Sequence, residues 1–540
     1  MDLPGSTASY HGWVTSWLVP LFASALLAAR WFVRRIEVAG PYPAQARVRF
    51  ERRTSLALVV AALVAAANYA DYGRARYGTY VNEWDTFHYY LNTRYLPELG
   101  YRGLYAATLV ADAETGLRYR GTEVRDLDTY DLVPVERVLA RAPAVRARFS
   151  PKRWVTFVAD VKWFKHQLTV ERWSIILVDR GYNGTPPWTA AVGLATNALS
   201  FRSDAQRAAL VALDPLLLLA MLACVRWAYG RDAAALVAVL VGTHYLLSWG
   251  HLKGSILRTD FAVCTVAAAC CMRRKRYALA GALLGWAAVA RAFPLVFAAG
   301  PAVLFASRLA TERKIDRDLA RFFAALAAVM CAAVLLSMAR YGGAHVLREW
   351  YAKIALHARE TSDWNVGFRA LVDVNFVDGV PHAFPAARML HEEPEVQALR
   401  GALLGGVRLA VVVPALYFAR YLRDHEALTF GFVYLFFLAS PDYYYLLVLC
   451  APMLFYLERP DGPQRSLGAA YMLLTGAFGY LLFAGWHRFA GAVPMLRGHH
   501  QEFATTYYLT WAVCLTALHM LALAAARGYA ISKLPAHMRR

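Results

Sequence analysis

Asn82-Glu83-Trp84-Asp85-Thr86-Phe87-His88-Tyr89-Tyr90 puts two carboxylates, an imidazole and a run of aromatic rings directly after the apolar stretch 54–70. A carboxylate at the edge of a low-dielectric phase, with a second acid two residues away, is expected to have a raised pKa, which suits a general base. The same residues admit a plainer reading. If a helix begins at Thr86, Asp85 is its N-cap and His88 its third residue, until Pro97 stops it. Trp84, Phe87, Tyr89, Tyr90 and Tyr95 then form an interfacial aromatic belt. Capping and catalysis are compatible, so Asp85 is the first candidate base and Glu83 the second.

Three further groups carry reactive side chains. His244, Tyr245, Trp249, His251, Lys253, Arg258 and Asp260 fall in one short connection between apolar runs, and Arg291 in the turn Ala290-Arg-Ala-Phe-Pro294. These cations lie on the side where positive charge is depleted, so they need a reason. Snorkelling or an Arg258–Asp260 contact is one; a cradle for a phosphate, built on Lys253, Arg258 and Arg291, is the other. Ser440-Pro-Asp-Tyr-Tyr-Tyr445 brings Asp442, Tyr443 and Tyr444 to a late turn on the same side, although Asp442 after Pro441 also suits a helix start. Thr361-Ser-Asp-Trp-Asn-Val-Gly-Phe368, flanked by Arg359 and Arg369, holds a tryptophan able to stack on a sugar. Asp214-Pro215 reads as a helix N-cap followed by proline at the first helical position.

The elements that must position these groups are apolar helices. The 540 residues are 58% hydrophobic and 14% aromatic, in long uncharged runs, which predicts an all-α polytopic membrane protein. About thirteen runs approach the length of a span: 12–33, 54–71, 212–229, 233–249, 257–272, 277–291, 294–308, 322–339, 402–419, 428–440, 443–457, 466–484 and 504–526. Arg34, Arg35, Arg52, Arg53, the Arg273-Arg-Lys-Arg276 run, Arg308, Arg321, Arg420, Arg423, Arg465 and the Arg539-Arg540 tail all fall on one side when the crossings are counted. That side is read as cytoplasmic, with the N-terminus outside. The first run ends in arginines without a small-residue cleavage site, so it is read as a span rather than a signal peptide.

The organisation that follows is an extra span and basic loop over 1–53, a core over 54–484, and a last outer loop, span and basic tail over 485–540. Two outer loops are large, about 72–213 and 340–401. The first is too long for a connector and predicts a helical subdomain. Within it, Trp154, Phe157, Val158, Val161 and Phe164 recur at helical spacing between lysines and arginines, as in an amphipathic helix lying on the outer membrane surface.

The net charge of +20 is explained by positive-inside loops and contact with anionic lipid, not by nucleic acid. The seven cysteines all lie in apolar runs, with neither a disulfide framework nor zinc spacing. There is no Walker loop, no Gly-rich dinucleotide turn and no Gly-x-Ser-x-Gly elbow. The Glu83–Asp85 pair could hold a divalent metal, but no cofactor is the favoured reading.

With outward acids and lipid-level cations, the pattern resembles the GT-C superfamily of integral-membrane glycosyltransferases, and within it the bacterial polyprenyl-phosphate-mannose-dependent mannosyltransferases. Glu83-Trp-Asp85 in the first large outer loop carries the likeness, with Gly281-Ala-Leu-Leu-Gly-Trp-Ala-Ala-Val-Ala-Arg-Ala-Phe-Pro-Leu295 and Ser440-Pro-Asp-Tyr-Tyr-Tyr-Leu-Leu447. Arg291 stands where a lysine would be expected, the first loop is long, and an extra N-terminal span precedes it. The resemblance implies a GT-C fold in a bacterial inner membrane, its site facing outward. It implies a polyprenyl-phosphate sugar as donor and a glycolipid or glycan as acceptor, joined by inverting displacement. Asp85 would be the base and Glu83 its helper; Lys253, Arg258 and Arg291 would hold the leaving phosphate, and His88, Asp442, Tyr443 and Tyr444 would help bind donor. A transporter or flippase for a lipid-linked or anionic solute would use the same cations without a base, and a scaffold binding a partner would need neither.

Overall fold

A computed structural model describes residues 10–39, 43–73, 80–248, 253–357, 364–377, 380–383, 394–458, 463–489 and 499–533. Most of it is helical, and the strands among the described residues form two antiparallel hairpins, Glu123–Arg125 with Leu132–Pro134 and Val374–Val377 with Val380–Ala383.

Seven of the described helices are long and apolar enough to cross a membrane: Trp13–Ile36, Asp204–Tyr229, Phe293–Glu312, Arg317–Arg340, Glu395–Ala419, Gln464–Trp486 and Gln501–Ser532. Their outer faces are bare of protein. Leu335, Leu336, Leu403, Leu409 and Val413 are all more than half exposed, an arrangement that belongs in hydrocarbon rather than water. Several of the other apolar runs form shorter helices. Asp260–Arg273 and Tyr277–Ala290 have 14 residues each, about 21 Å of rise against a hydrocarbon core of about 30 Å. The run 428–440 is divided between Asp424–Thr429 and Gly431–Leu438, both almost wholly buried.

The long first loop folds as a helical layer. Glu83–Leu99, Leu104–Glu114, Pro151–Gln167, Val170–Ile176 and Pro186–Ala198 pack around Phe87, Tyr90, Tyr95, Phe157, Phe164 and Trp173, each without exposed surface. This overturns two expectations. Phe87, Tyr89, Tyr90 and Tyr95 are core rather than a lipid-level belt, and the helix opening at Pro151 turns its apolar stripe to Glu83–Leu99. Phe87 meets Phe164 at 5.8 Å and Tyr95 meets Phe157 at 5.0 Å, both edge to face. Periodicity marks a stripe that must be buried without saying whether lipid or protein buries it. Inside the layer Lys165 pairs with Asp112 at 2.7 Å, and Asp112 also accepts from Tyr119 N and Trp173 Nε1.

The membrane-level core has two chemically distinct ends. At one, Glu458 takes Arg273, Arg423 and His425, and Glu426 takes Arg465 and Arg527. Arg308 adds Asp316 and Asp424. Arg273, Arg308, Arg423 and Arg465, read from sequence as lying on one side, meet there, and Arg527 joins them. At the other end lie Asp260 and Ala290, the far termini of the same two short helices. Tyr277–Ala290 is seated backbone to backbone on Arg317–Arg340. A Cβ at Gly281 would fall 1.9 Å from Phe322 O, and one at Gly285 2.8 Å from Leu326 O.

Candidate functional site

The Glu83–Leu99 helix starts one turn earlier than the capping reading of Asp85 requires. Asn82 is the N-cap, and its Oδ1 accepts from Asp85 N at 3.1 Å. Asp85 is therefore the third helical residue, and its carboxylate is released from capping. Its Oδ1 lies 3.5 Å from Arg258 Nη2, and its Oδ2 is buried with no hydrogen-bond partner. Glu83, two positions earlier, is 5% exposed and leaves the helix about 200° away around the axis.

Asn82 also fastens the loop that carries the cations. Asn82 N donates to Gly254 O at 2.9 Å. Gly254 has φ +79°, and a Cβ there would lie 2.4 Å from Tyr80 O, so only glycine permits this approach. Arg258 follows Leu257, held at φ +47°, a sparsely populated conformation for a non-glycine residue. What holds it is Asp214. Its carboxylate accepts from Arg258 N at 3.0 Å, Thr259 N at 2.9 Å and Thr259 Oγ1 at 2.6 Å. Asp214 is thus no cap for its own helix: Leu213–Tyr229 follows directly on Asp204–Val211, and the acid serves the entry to Asp260–Arg273 instead.

Arg258 and Arg291 converge on one aromatic cluster. The Arg258 guanidinium lies 3.7 Å from the Tyr89 ring centre; that of Arg291 lies 5.0 Å from Trp188 and 5.8 Å from Tyr89. Tyr445 is 5.9 Å from the first and 5.8 Å from the second. Arg258 is 2% and Arg291 5% exposed. Nevertheless Nε and Nη1 of Arg258, and Nε and Nη2 of Arg291, are buried without hydrogen-bond partners. Arg291 Nη1 alone is spent, on Ala290 O at 2.6 Å. The alternative Arg258–Asp260 contact is not made. Asp260 Oδ2 accepts from the indoles of Trp188 at 3.1 Å and Trp286 at 3.0 Å, and its Oδ1 from Phe261 N at 2.8 Å.

The Ser-Pro-Asp turn forms the next wall. Val366 N donates to Pro441 O and Tyr443 N to Trp364 O, so the segment around Trp364 is stitched to the turn. Asp442 accepts from Asn365 Nδ2 at 2.8 Å and from Tyr444 Oη at 2.7 Å. Asp442 thereby orients Tyr444, whose ring is 5.9 Å from the Arg258 guanidinium. Tyr443 is buried against Trp364 at 5.4 Å.

The remaining candidates sit in other surroundings. Lys253 holds its ammonium 4.2 Å from the Tyr69 ring centre. His88 Nδ1 is 2.9 Å from Trp84 O and so carries the proton; Nε2, 2.9 Å from Tyr105 Oη, accepts. Burial lowers its pKa against the pull of Asp179, whose Oδ2 is 3.8 Å away. His88 is therefore a neutral strut between helices. His244 is packed in the core, its Nδ1 accepting from Leu246 N. Trp249, His251, Arg359 and Thr361–Asp363 lie outside the described residues. Among the described residues no group of three or more His, Cys, Asp or Glu side chains is placed to hold a metal ion.

Sequence reasoning missed Trp188, Trp286 and the true roles of Tyr89, Asp260 and Tyr445. A signal existed for Trp286, a large indole flanked by Gly285, Ala287 and Ala288. None existed for Trp188, which joins the cluster through a contact 72 residues away in the chain.

One buried cation ties the second large loop to the helical layer of the first. On the His345–His357 helix, Lys353 Nζ donates to Tyr182 O at 2.7 Å and Tyr101 O at 3.2 Å, while Glu349 Oε1 accepts from Tyr101 N at 2.7 Å. Burial pulls the Lys353 amine down to about 7. An unfolded lysine keeps its proton to about pH 10.4, so the penalty for burying the charged form is fully present below pH 7 and is relieved as pH rises. Thermal stability is expected to climb between about pH 7 and pH 9, and Lys353→Met to remove that climb, as unfolding scans across this range would register.

Comparison with models of known protein families, with curated proteins and with solved structures finds no match.

Proposed function

We propose that the chain is a membrane glycosyltransferase that moves a sugar from a polyprenyl-phosphate donor to a hydroxyl acceptor. In this reading the other apolar runs complete about thirteen GT-C-like crossings of a bacterial inner membrane, and the site faces outward. One observation carries the reading: two buried guanidiniums with unspent N–H groups converge beside a carboxylate whose second oxygen is free. Buried guanidinium N–H groups left without acceptors are strongly unfavourable, and an anion arriving at this point relieves them.

The chemistry then runs as a single displacement. The acceptor O–H gives its proton to Asp85 while its oxygen bonds to the anomeric carbon. The carbon–oxygen bond to phosphate breaks, and the phosphate leaves with the electron pair, held by Arg258 and Arg291. The anomeric centre inverts. Charge builds on the leaving oxygens where fixed donors in a water-poor site stabilise it most, and holding donor and acceptor in line supplies much of the rest. Tyr89, Tyr444 and Tyr445 hold the guanidiniums in place, with Glu83 behind the base.

The test is incubation of purified protein, in detergent, with a panel of synthetic polyprenyl-phosphate sugars, following release of polyprenyl phosphate. Turnover without a bilayer to cross separates transfer from transport. No release from any sugar, with native membrane lipids supplied as acceptors, would overturn the reading.

A further inference from the structure

An open arginine next to an acid is unstable against the two pairing with each other. Asp260 is the acid here: it heads the helix that follows Arg258 in the chain, and its field acts on Arg291. Yet no carboxylate oxygen among the described residues forms an ion pair with Arg291; the Asp260 carboxylate is taken up elsewhere, at 3.0–3.1 Å by two indole N–H groups on one oxygen and at 2.8 Å by Phe261 N on the other. Trp188 does both jobs at once. Its N–H holds the acid while its ring lies 5.0 Å from the Arg291 guanidinium. Trp286 reaches the acid from the Tyr277–Ala290 helix, the element that ends at Arg291.

We infer that Trp188 and Trp286 are positioning residues that keep Asp260 off Arg291, so that the guanidinium stays available to the incoming phosphate. The inference rests on the phosphate-cradle reading above. Its physical content is a competition. Asp260 bound to neutral N–H donors leaves Arg291 attracted at long range but not engaged; with one donor removed, the carboxylate gains by turning to the nearest cation, and the cradle closes on itself. Charge is retained near the site, which tempers the cost of the buried arginines without using their hydrogen bonds.

The experiment measures binding of farnesyl phosphate to protein in nanodiscs, with farnesol as the uncharged control. Trp286→Phe keeps an aromatic ring in the helix and removes the N–H together with part of the indole, a loss of volume that the double variant below controls for. It is expected to weaken farnesyl phosphate about tenfold, the scale of one hydrogen bond to a charged group, and to leave farnesol unchanged. Trp286→Phe combined with Asp260→Asn is expected to return the affinity to within about twofold of the parent, because the competitor has lost its charge. Wild-type affinity in Trp286→Phe would overturn the inference. So would a double variant as weak as the single one, since that marks a loss of packing. Arg291→Gln in the same assay reports on the cradle itself: undiminished phosphate binding there would sink the underlying reading rather than the role of the tryptophans.

Discussion

Asp85→Asn is expected to lower sugar transfer by about 10²- to 10⁴-fold, the usual contribution of a positioned general base, with little change in donor affinity. Asparagine keeps the volume and one acceptor oxygen toward Arg258, 3.5 Å away in the parent, but it cannot take the acceptor's proton. Asn82, not Asp85, caps the helix, so the substitution should not loosen it. Steady-state kinetics with a saturating donor, alongside direct measurement of polyprenyl-phosphate binding, checks both halves. Full activity in Asp85→Asn would move the base to another residue.

Arg258→Gln and Arg291→Gln are each expected to cost about 10² to 10³ in kcat, the scale found when a single preorganised donor to developing negative charge is removed. The double substitution should fall short of the product of the two, because in the proposed reaction both act on one phosphate. Lysine is a poor substitute at either position: it keeps the charge and loses the planar fork that a phosphate engages through two bonds. Arg291→Gln should move stability the other way. It removes a guanidinium that is 5% exposed, has no ion-pair partner among the described residues and is largely without hydrogen-bond partners, so the substrate-free variant should melt at a higher temperature than the parent. Lower turnover with higher thermal stability is the signature of a site held open for a ligand; a fall in both would indicate a purely structural arginine.

How far the chain could be read in advance depended on range. The all-α membrane character follows from composition, and the two sides of the membrane-level core from basic loops that meet around Glu426 and Glu458. Asp85, Arg258 and Arg291 stand out because charge beside apolar runs is expensive and needs a reason. The aromatic residues were harder. Phe87, Tyr90 and Phe164 carry the same helical period whether they face lipid or another helix, and only the fold shows that they face each other. Asp260 looked like a partner for its neighbour Arg258, since nothing local reveals that Trp188 and Trp286 arrive from other helices. Span counting from hydropathy alone likewise cannot tell a long lipid-facing helix from a short buried one such as Asp260–Arg273.

The tight seat of Gly281 and Gly285 on Arg317–Arg340 has a mechanical meaning. From Gly281 to Arg291 the helix is a rigid strut about 15 Å long, pinned at its lower part and bearing the Arg291 guanidinium at its tip. With no slack at Gly281, any side chain added there must lift or tilt the strut, and the displacement appears undiminished at the guanidinium. A series of small residues at this one position is thus a graded adjustment of where Arg291 stands, made without altering any group of the proposed site.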